Sequence, residues 1–297
     1  MASGKEIKLK IGTISNIKKI TKTMEMVSVS KMKKMVARVS ASKEYAVKAL
    51  QLLANLALER NIEHPLLEQG KGEKNLLVVF ASNKGLCGGF NVNISKKLSQ
   101  IAKQSKRTLD VVTIGKQAER AARRNNLSIV ASFIEFNEKT GSDDFLVLKQ
   151  ILLDKMQGGE YRETWMLYTE FKSAVSYAPV NYQILPPNVE TLKHIFVEEE
   201  REERYGHKLK SLSRYIVEPS PEEVVEQIVP KLLHASLYHA HLESQASEHS
   251  ARMFAMKNAS DNAGNLVDDL TLQYNKARQS AITQEISEIV GGAEALK

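Results

Sequence analysis

The stretch Ser82-Asn83-Lys84-Gly85-Leu86-Cys87-Gly88-Gly89-Phe90 is where this chain comes nearest to reactive chemistry. A glycine-rich turn between a strand and a helix is where an alternating fold cradles phosphate, because the first N–H groups of the helix point at the anion. These glycines fit neither phosphate pattern. The G-x-G-x-x-G fingerprint is missing, and no Gly-Lys-Ser or Gly-Lys-Thr brings an ammonium and a hydroxyl to phosphate and magnesium. The spacing therefore reads as a structural tight turn. Cys87 follows the turn as a nucleophile could, but no His-Asp or His-Asn pair is assignable to it, so it reads as a buried structural thiol. As the single cysteine it excludes an intrachain disulfide. His234, His239, His241 and His249 suggest a metal, and His234 shares a helix face with His241. Without a His-x-x-x-His step or a cysteine nearby they make no ligand set, and they read as surface or interface residues. No catalytic, cofactor-binding or metal-ligating constellation emerges.

The elements around that turn alternate. Residues 76–80 and 109–114 are short apolar runs that read as buried strands, with a third strand near 127–133. Between them lie a helix over 91–103, opened by Asn91 or Asn93, and a basic helix over 116–124. Ser142-Asp143-Asp144 is expected to cap a helix running to about Met156, with side chains satisfying free N–H groups of its first turn. Residues 163–173 and 179–185, separated by a short turn, read as a hairpin closing the sheet. Such alternation predicts an α/β domain with a largely parallel sheet. Pro186-Pro187 is expected to end it, followed by a solvated segment with five glutamates within 198–203. Ser220-Pro221-Glu222-Glu223 then signals a helix start, with a kink expected at Pro230.

The two ends are of another kind. From residue 13 to 64 there is no glycine or proline, while Ile14, Ile17, Met24, Val27, Met35 and Val39 recur at helical spacing. A second such stretch runs from 231 to 290, interrupted by one glycine, Gly264. Each helix would extend on the order of 75 to 90 Å, too long to cross a compact domain, so the two must pair. Ala235, Ala240, Ala246, Ala251, Ala255, Ala259 and Ala263 predict a seam of small residues, and Met24, Met26, Met32, Met35, Met253 and Met256 would pack adaptably in it.

The chain has 297 residues and a net charge of +7. Residues 1–45 hold eleven Lys or Arg against three acids, so the first helix carries more than the whole excess. That basic face could meet nucleic acid, anionic lipid or an acidic protein surface. No apolar run is long enough to span a bilayer, and the N-terminus lacks a signal-peptide core, so the chain is expected to stay where it is made.

Three strings are more specific than composition. Ile20-Thr21-Lys22-Thr23-Met24-Glu25-Met26-Val27-Ser28-Val29-Ser30-Lys31-Met32, the Ser82 to Asn91 turn, and Glu248-His249-Ser250-Ala251-Arg252-Met253 together with Tyr274-Asn275-Lys276-Ala277-Arg278-Gln279-Ser280-Ala281-Ile282-Thr283-Gln284-Glu285 closely resemble the gamma-subunit family of F-type ATP synthases. The resemblance runs the length of the chain in the same order. It implies an α/β class fold in which the end helices, 1–70 and 216–297, form a long antiparallel coiled coil and 71–215 form a central Rossmann-like α/β domain. It further implies a non-catalytic rotor shaft, without cofactor, inside a hexamer of alpha and beta subunits, joined to epsilon and the c ring of Fo. The setting would be peripheral, on the cytoplasmic face of the bacterial inner membrane.

Matched residue by residue, the resemblance places Met24, Lys31, Lys33 and Lys34 near acidic loops of the beta subunits and couples Arg252 to that neighbourhood. Arg278, Gln279 and Thr283 would hydrogen-bond a catch loop of the hexamer. The paired cysteines of the chloroplast form are missing, so thiol control is not expected, and 187–215 is longer than the common bacterial pattern. Two other readings compete: a basic coiled-coil nucleic-acid binder, and a nucleotide-dependent α/β enzyme with Lys84 on phosphate.

Overall fold

The computed structural model describes residues 4–59, 65–196 and 218–294. Strand β1 (Lys74–Phe80) is the centre of a five-stranded sheet, and its last five residues are buried, as an uninterrupted apolar run requires of a strand covered on both faces. β2 (Leu109–Ile114) and β4 (Tyr161–Ser173) flank it in parallel, and β3 (Ser128–Phe133) adds to β2 in the same sense. β5 (Ser176–Leu185) closes the other edge as an antiparallel hairpin with β4, giving the order β3-β2-β1-β4-β5.

Because side chains alternate along a strand, the sheet feeds two cores. Leu77, Val79, Leu109 and Val111 meet Ile94 and Leu98 of α2 (Phe90–Gln104) and the alanines Ala118, Ala121 and Ala122 of α3 (Lys116–Arg124). Leu76, Val78, Phe80, Val112 and Ile114 meet Phe145, Leu148 and Leu152 of α4 (Phe145–Gln157). That second core also takes in both long helices: α1 (Gly4–Glu59) contributes Val47, Leu50 and Leu53, and α6 (Pro221–Glu294) contributes Val225, Val229, Leu232 and Leu233.

By contact density the chain divides into two units, Ser30–Ala251 and the pair Met1–Val29 with Arg252–Lys297. Within the latter, α1 buries Ile7, Thr21 and Ser28, spaced in sevens, and α6 buries Met256, Ser260, Ala263 and Gly264. The spacing is that of a heptad seam. Its hydroxyls stay within their own helix: Thr21 Oγ1 donates to backbone carbonyls of the preceding turn (Ile17 O at 3.0 Å), and Ser28 Oγ donates to Met24 O at 2.7 Å.

Three expectations change. The Asp144 carboxylate does not cap α4; it accepts from Gly141 N at 2.7 Å, bracing the approach to the helix instead. Neither Asn91 nor Asn93 opens α2, which starts one residue earlier with Gly89 at its cap. Pro186-Pro187 ends the sheet but not the core, since α5 (Val189–Phe196) follows and buries Leu192, Ile195 and Phe196 against it. As expected, α6 starts at Pro221 and runs on through Pro230, flanked by buried Ile228, Val229, Leu232 and Leu233. The acid run of 198–203 and Tyr205-Gly206-His207 lie outside the described residues.

Gly115, between β2 and α3, has φ +91°, and a Cβ there would lie 2.1 Å from the Ala81 carbonyl oxygen. Gly115→Ala is therefore expected to lower unfolding free energy by about 3 kcal/mol through backbone strain and the clash. Urea unfolding checks this, with Gly85→Ala as the control, because Gly85 has open space around it.

Candidate functional site

The glycine-rich turn uses its polar groups on itself. Asn91 Nδ2 donates to Ser82 Oγ at 2.7 Å and to Cys87 Sγ at 3.1 Å, while Asn91 Oδ1 accepts from Ser82 N at 3.2 Å. Ser82 Oγ in turn donates to the Lys84 carbonyl at 2.6 Å. Leu86 and Gly88 take positive φ to close the turn. Cys87 is buried with Phe90 and Ala251. Asn83 faces outward from this knot: its Oδ1 accepts from Lys116 N at 2.9 Å and its Nδ2 donates to Phe136 O at 2.8 Å.

Phe136 belongs to the connection between β3 and α4, where the polar chemistry of the domain is concentrated. Residues 137–140 form a tight turn in which Asn137 N donates to Thr140 Oγ1 at 2.8 Å and Thr140 N donates to Asn137 O at 3.0 Å. α1 grips this turn with two cations one heptad apart. Lys31 Nζ lies 2.6 Å from Glu138 Oε1; Arg38 donates to Glu138 O at 2.9 Å, to Thr140 O at 3.0 Å and to the Tyr238 hydroxyl at 2.7 Å. α6 grips it with histidines. His241 Nε2 donates to Asn137 O at 3.1 Å, His249 Nε2 lies 3.5 Å from Glu138 Oε2, and His234 Nε2 lies 2.7 Å from Ser142 Oγ. Phe136 anchors the connection from beneath, with ring centroids 5.1 Å from Phe133 and 4.8 Å from Phe145.

Of the surface and interface placements open to these histidines, the structure gives the interface: His239, His241 and His249 are buried and His234 is half-buried. Their partners come from distant parts of the chain, which helical periodicity cannot reveal. His239 sits apart from the turn, 3.0 Å from Ser42 Oγ through Nδ1 and 3.3 Å from Glu243 through Nε2. Among the described residues no group of three or more His, Cys, Asp or Glu is placed to hold a metal ion. Sequence reasoning missed Arg38, Glu138 and Thr140 as a joint; the one signal was Arg38 one heptad after Lys31, within the basic face.

The residues singled out on the long helices fall in both units. Lys31 is half-buried and paired with Glu138, whereas Lys33 and Lys34 are exposed without an ion pair among the described residues. In the other unit Met24 and Arg252 are half-buried, and Arg278, Gln279 and Thr283 are exposed within two turns of α6. The Thr283 hydroxyl is occupied by the Gln279 carbonyl at 2.9 Å. This unit also exposes large apolar side chains: Leu9, Ile17, Ile20, Met26, Leu272, Ile286 and Ile289 are all at least 47% exposed. The apolar pattern is largely inverted: apart from Ile7 and Met256, small residues line the seam, while many large ones lie outside. No described helix is long and apolar enough to cross a membrane.

The turn has a pH signature. Burial first, with Arg38 assisting against the Asn137 hydrogen bond, brings His241 down to about 4 from 6.5. Burial alone would raise Glu138, but the Lys31 hydrogen bond and charge, with His249 and Lys84, outweigh it and hold the carboxyl below its usual range. For His241, below pH 6.5 the unfolded chain takes up a proton that the folded chain refuses. Stability accordingly falls as pH drops from 6.5 towards about 4, by at most about 1.4 kcal/mol per pH unit. The Glu138 contribution is present above the ordinary carboxyl value of 4.5 and is lost as pH falls from there through its depressed folded value. His241→Gln keeps an N–H donor for Asn137 but cannot titrate, so urea unfolding as a function of pH is expected to flatten across the His241 window.

Residues 3–296 match the sequence model of a family described as ATP synthase. The chain is 37% identical to the ATP synthase gamma chain of Nitrosococcus oceani and 38% identical to that of Dehalococcoides mccartyi strain CBDB1, covering all of each in both directions. Among solved structures it is similar to a chain of the central stalk and c-ring structure of Tetrahymena thermophila mitochondrial ATP synthase, at 25% identity and TM-score 0.58, over 81% of this chain and 99% of that one. A chain of the Euglena gracilis mitochondrial ATP synthase OSCP/F1/c-ring structure shares the fold at 21% identity and TM-score 0.68, over 99% and 94%. With the family matched from end to end and whole-length relatives above 30% identity, the chain belongs to the ATP synthase gamma-chain family, the rotor subunit of the F1 sector.

Proposed function

We propose that this chain works as the central shaft of an F-type ATP synthase, coupling ion-driven rotation of the c ring to ATP synthesis or hydrolysis in a hexamer of alpha and beta subunits. The observation that carries the reading is the inverted apolar pattern of the paired helix ends. Large side chains such as Leu9, Ile20, Met26 and Ile289 face outward, and contiguous exposed apolar surface is covered in a soluble assembly. A sleeve of subunits around the shaft would cover it. Apolar contact is non-directional and so permits turning within such a sleeve.

Functionally the chain divides into an N-terminal helix, 1–70, a central α/β domain, 71–215, and a C-terminal helix, 216–297. Met24, Lys31, Lys33, Lys34, Arg252, Arg278, Gln279 and Thr283 are the contacts to the hexamer. The exposed members, Lys33, Lys34, Arg278, Gln279 and Thr283, offer single charges or hydrogen bonds individually worth about 1 kcal/mol or less, weak enough to break in every turn. Epsilon and the c ring bind towards the α/β domain, and the chain is peripheral at the cytoplasmic face of the bacterial inner membrane, with no role in nucleic-acid binding.

Arg278→Ala tests the contact set. In the assembled, membrane-reconstituted complex it is expected to reduce both ATP synthesis and ATP-driven ion pumping while the complex still assembles. Unchanged rates would remove Arg278 from the set. A cysteine at Met24 is expected to crosslink to a beta subunit and stop turnover, with reduction restoring it.

A further inference from the structure

We propose that the 137–140 turn is a torque joint between the α/β domain and the two long helices, and that Arg38 is the positioning residue at its centre. The proposal rests on the rotor reading and adds to it the place where the rotor resists twisting.

The α/β domain is attached to the helices at two levels. The first is the apolar core, where Val47, Leu50 and Leu53 of α1 and Val225, Val229 and Leu233 of α6 meet the sheet and α4. Contacts of this kind resist separation but have little directional preference, so they hold a domain near a helix pair without fixing its angle about the helix axis. The second level is the turn, about two helical turns further along both helices. Here, at the margin of that core, hydrogen bonds and an ion pair add directional contacts, and they come from both helices onto one short piece of backbone.

Arg38 is suited to this because its guanidinium presents several donors in a rigid plane. It binds two carbonyls of the turn, Glu138 O and Thr140 O, and the Tyr238 hydroxyl of α6, so α1, the turn and α6 meet at one side chain. The guanidinium carbon also lies 5.8 Å from the Tyr238 ring centroid. His241 holds the same turn from the α6 side through Asn137 O, and Thr140 Oγ1 keeps the turn closed by accepting from Asn137 N. Asn83, through Phe136 O, ties the connection back to the end of β1. A rotation of the domain relative to the helices has to break these bonds together.

The test uses the complete complex immobilised through its hexamer, with a bead attached to the α/β domain of this chain. Torsional stiffness is read from the angular fluctuation of the bead during catalytic pauses, and coupling from ions pumped per ATP hydrolysed. Arg38→Lys keeps the charge but loses the fork, and Thr140→Val removes one acceptor at nearly constant volume. Both are expected to widen the angular fluctuation, Arg38→Lys more, and to lower the coupling ratio several-fold under load while unloaded hydrolysis is retained. A role in stability alone would instead lower assembly and melting temperature and leave the fluctuation of assembled complexes unchanged. Wild-type fluctuation in assembled Arg38→Lys and Thr140→Val complexes overturns the proposal. Failure of the wild-type bead to rotate would refute the rotor reading itself, a separate outcome.

Discussion

Two helices of 56 and 74 residues cannot bury an apolar face alone, and the rest of the structure follows from how each finds cover. Long isolated helices gain little from propensity; most of their stability comes from packing a stripe of side chains. Within Ser30–Ala251 the stripe of α1 runs Met32, Met35, Val39, Ala46, Leu50 and Leu53, all buried in three-, four- or seven-residue steps. Met35 and Val39 meet Leu242 and Ala246 of α6, and from Ala46 onward the same stripe meets the sheet core. One face of one helix thus serves first a coiled-coil seam and then a globular core. That is why the α/β domain is not a bead on a linker but a continuation of the helix packing.

A purely apolar seam would let the helices slip in register and the domain turn about them. Polar groups in the seam work against this. His239 with Ser42, and Arg38 with Tyr238, place hydrogen-bonding groups where they are satisfied in one arrangement only. Such buried groups add little net stability, because desolvation offsets most of their attraction, yet a shifted register would leave them unpaired at a cost of about 1 to 3 kcal/mol each. Their value lies in specificity of alignment, the property a torque-bearing element needs.

The sheet was legible because its signals are local. The apolar runs at 76–80 and 109–114, the alanines that let α3 pack closely, and the Ser220-Pro221 start of α6 each report their own conformation; Ser220 Oγ indeed accepts from Glu223 N at 3.2 Å. The turn at 137–140 was not legible, because nothing in its own residues names a partner a hundred positions earlier or later. Asn91 shows the same limit. Its type and place fit a helix cap, but its amide is already committed to Ser82 and Cys87, so the competing partner decided the outcome. The histidines stayed open between surface and interface for a related reason: which of the two a helical side chain meets depends on the opposing surface, which periodicity does not show.

Gly264 shows how sequence and packing settle a local conflict. A glycine deep within a helix costs about 1 kcal/mol relative to alanine, so its presence in α6 runs against helix propensity. It is buried, and a Cβ there would lie 3.0 Å from Lys18 Nζ and 3.4 Å from Lys18 Cε. Lys18 stands eleven residues after Ile7 on a three- and four-residue pattern that otherwise places Ile7, Ile11, Ile14 and Thr21 towards the seam. The missing side chain on α6 leaves room for the charged end of Lys18, whose ammonium is the atom nearest that position while the residue as a whole stays exposed. The seam can therefore carry a basic residue at an apolar position without burying its charge. The local loss of helix propensity is the counterpart of keeping the basic face of α1 continuous.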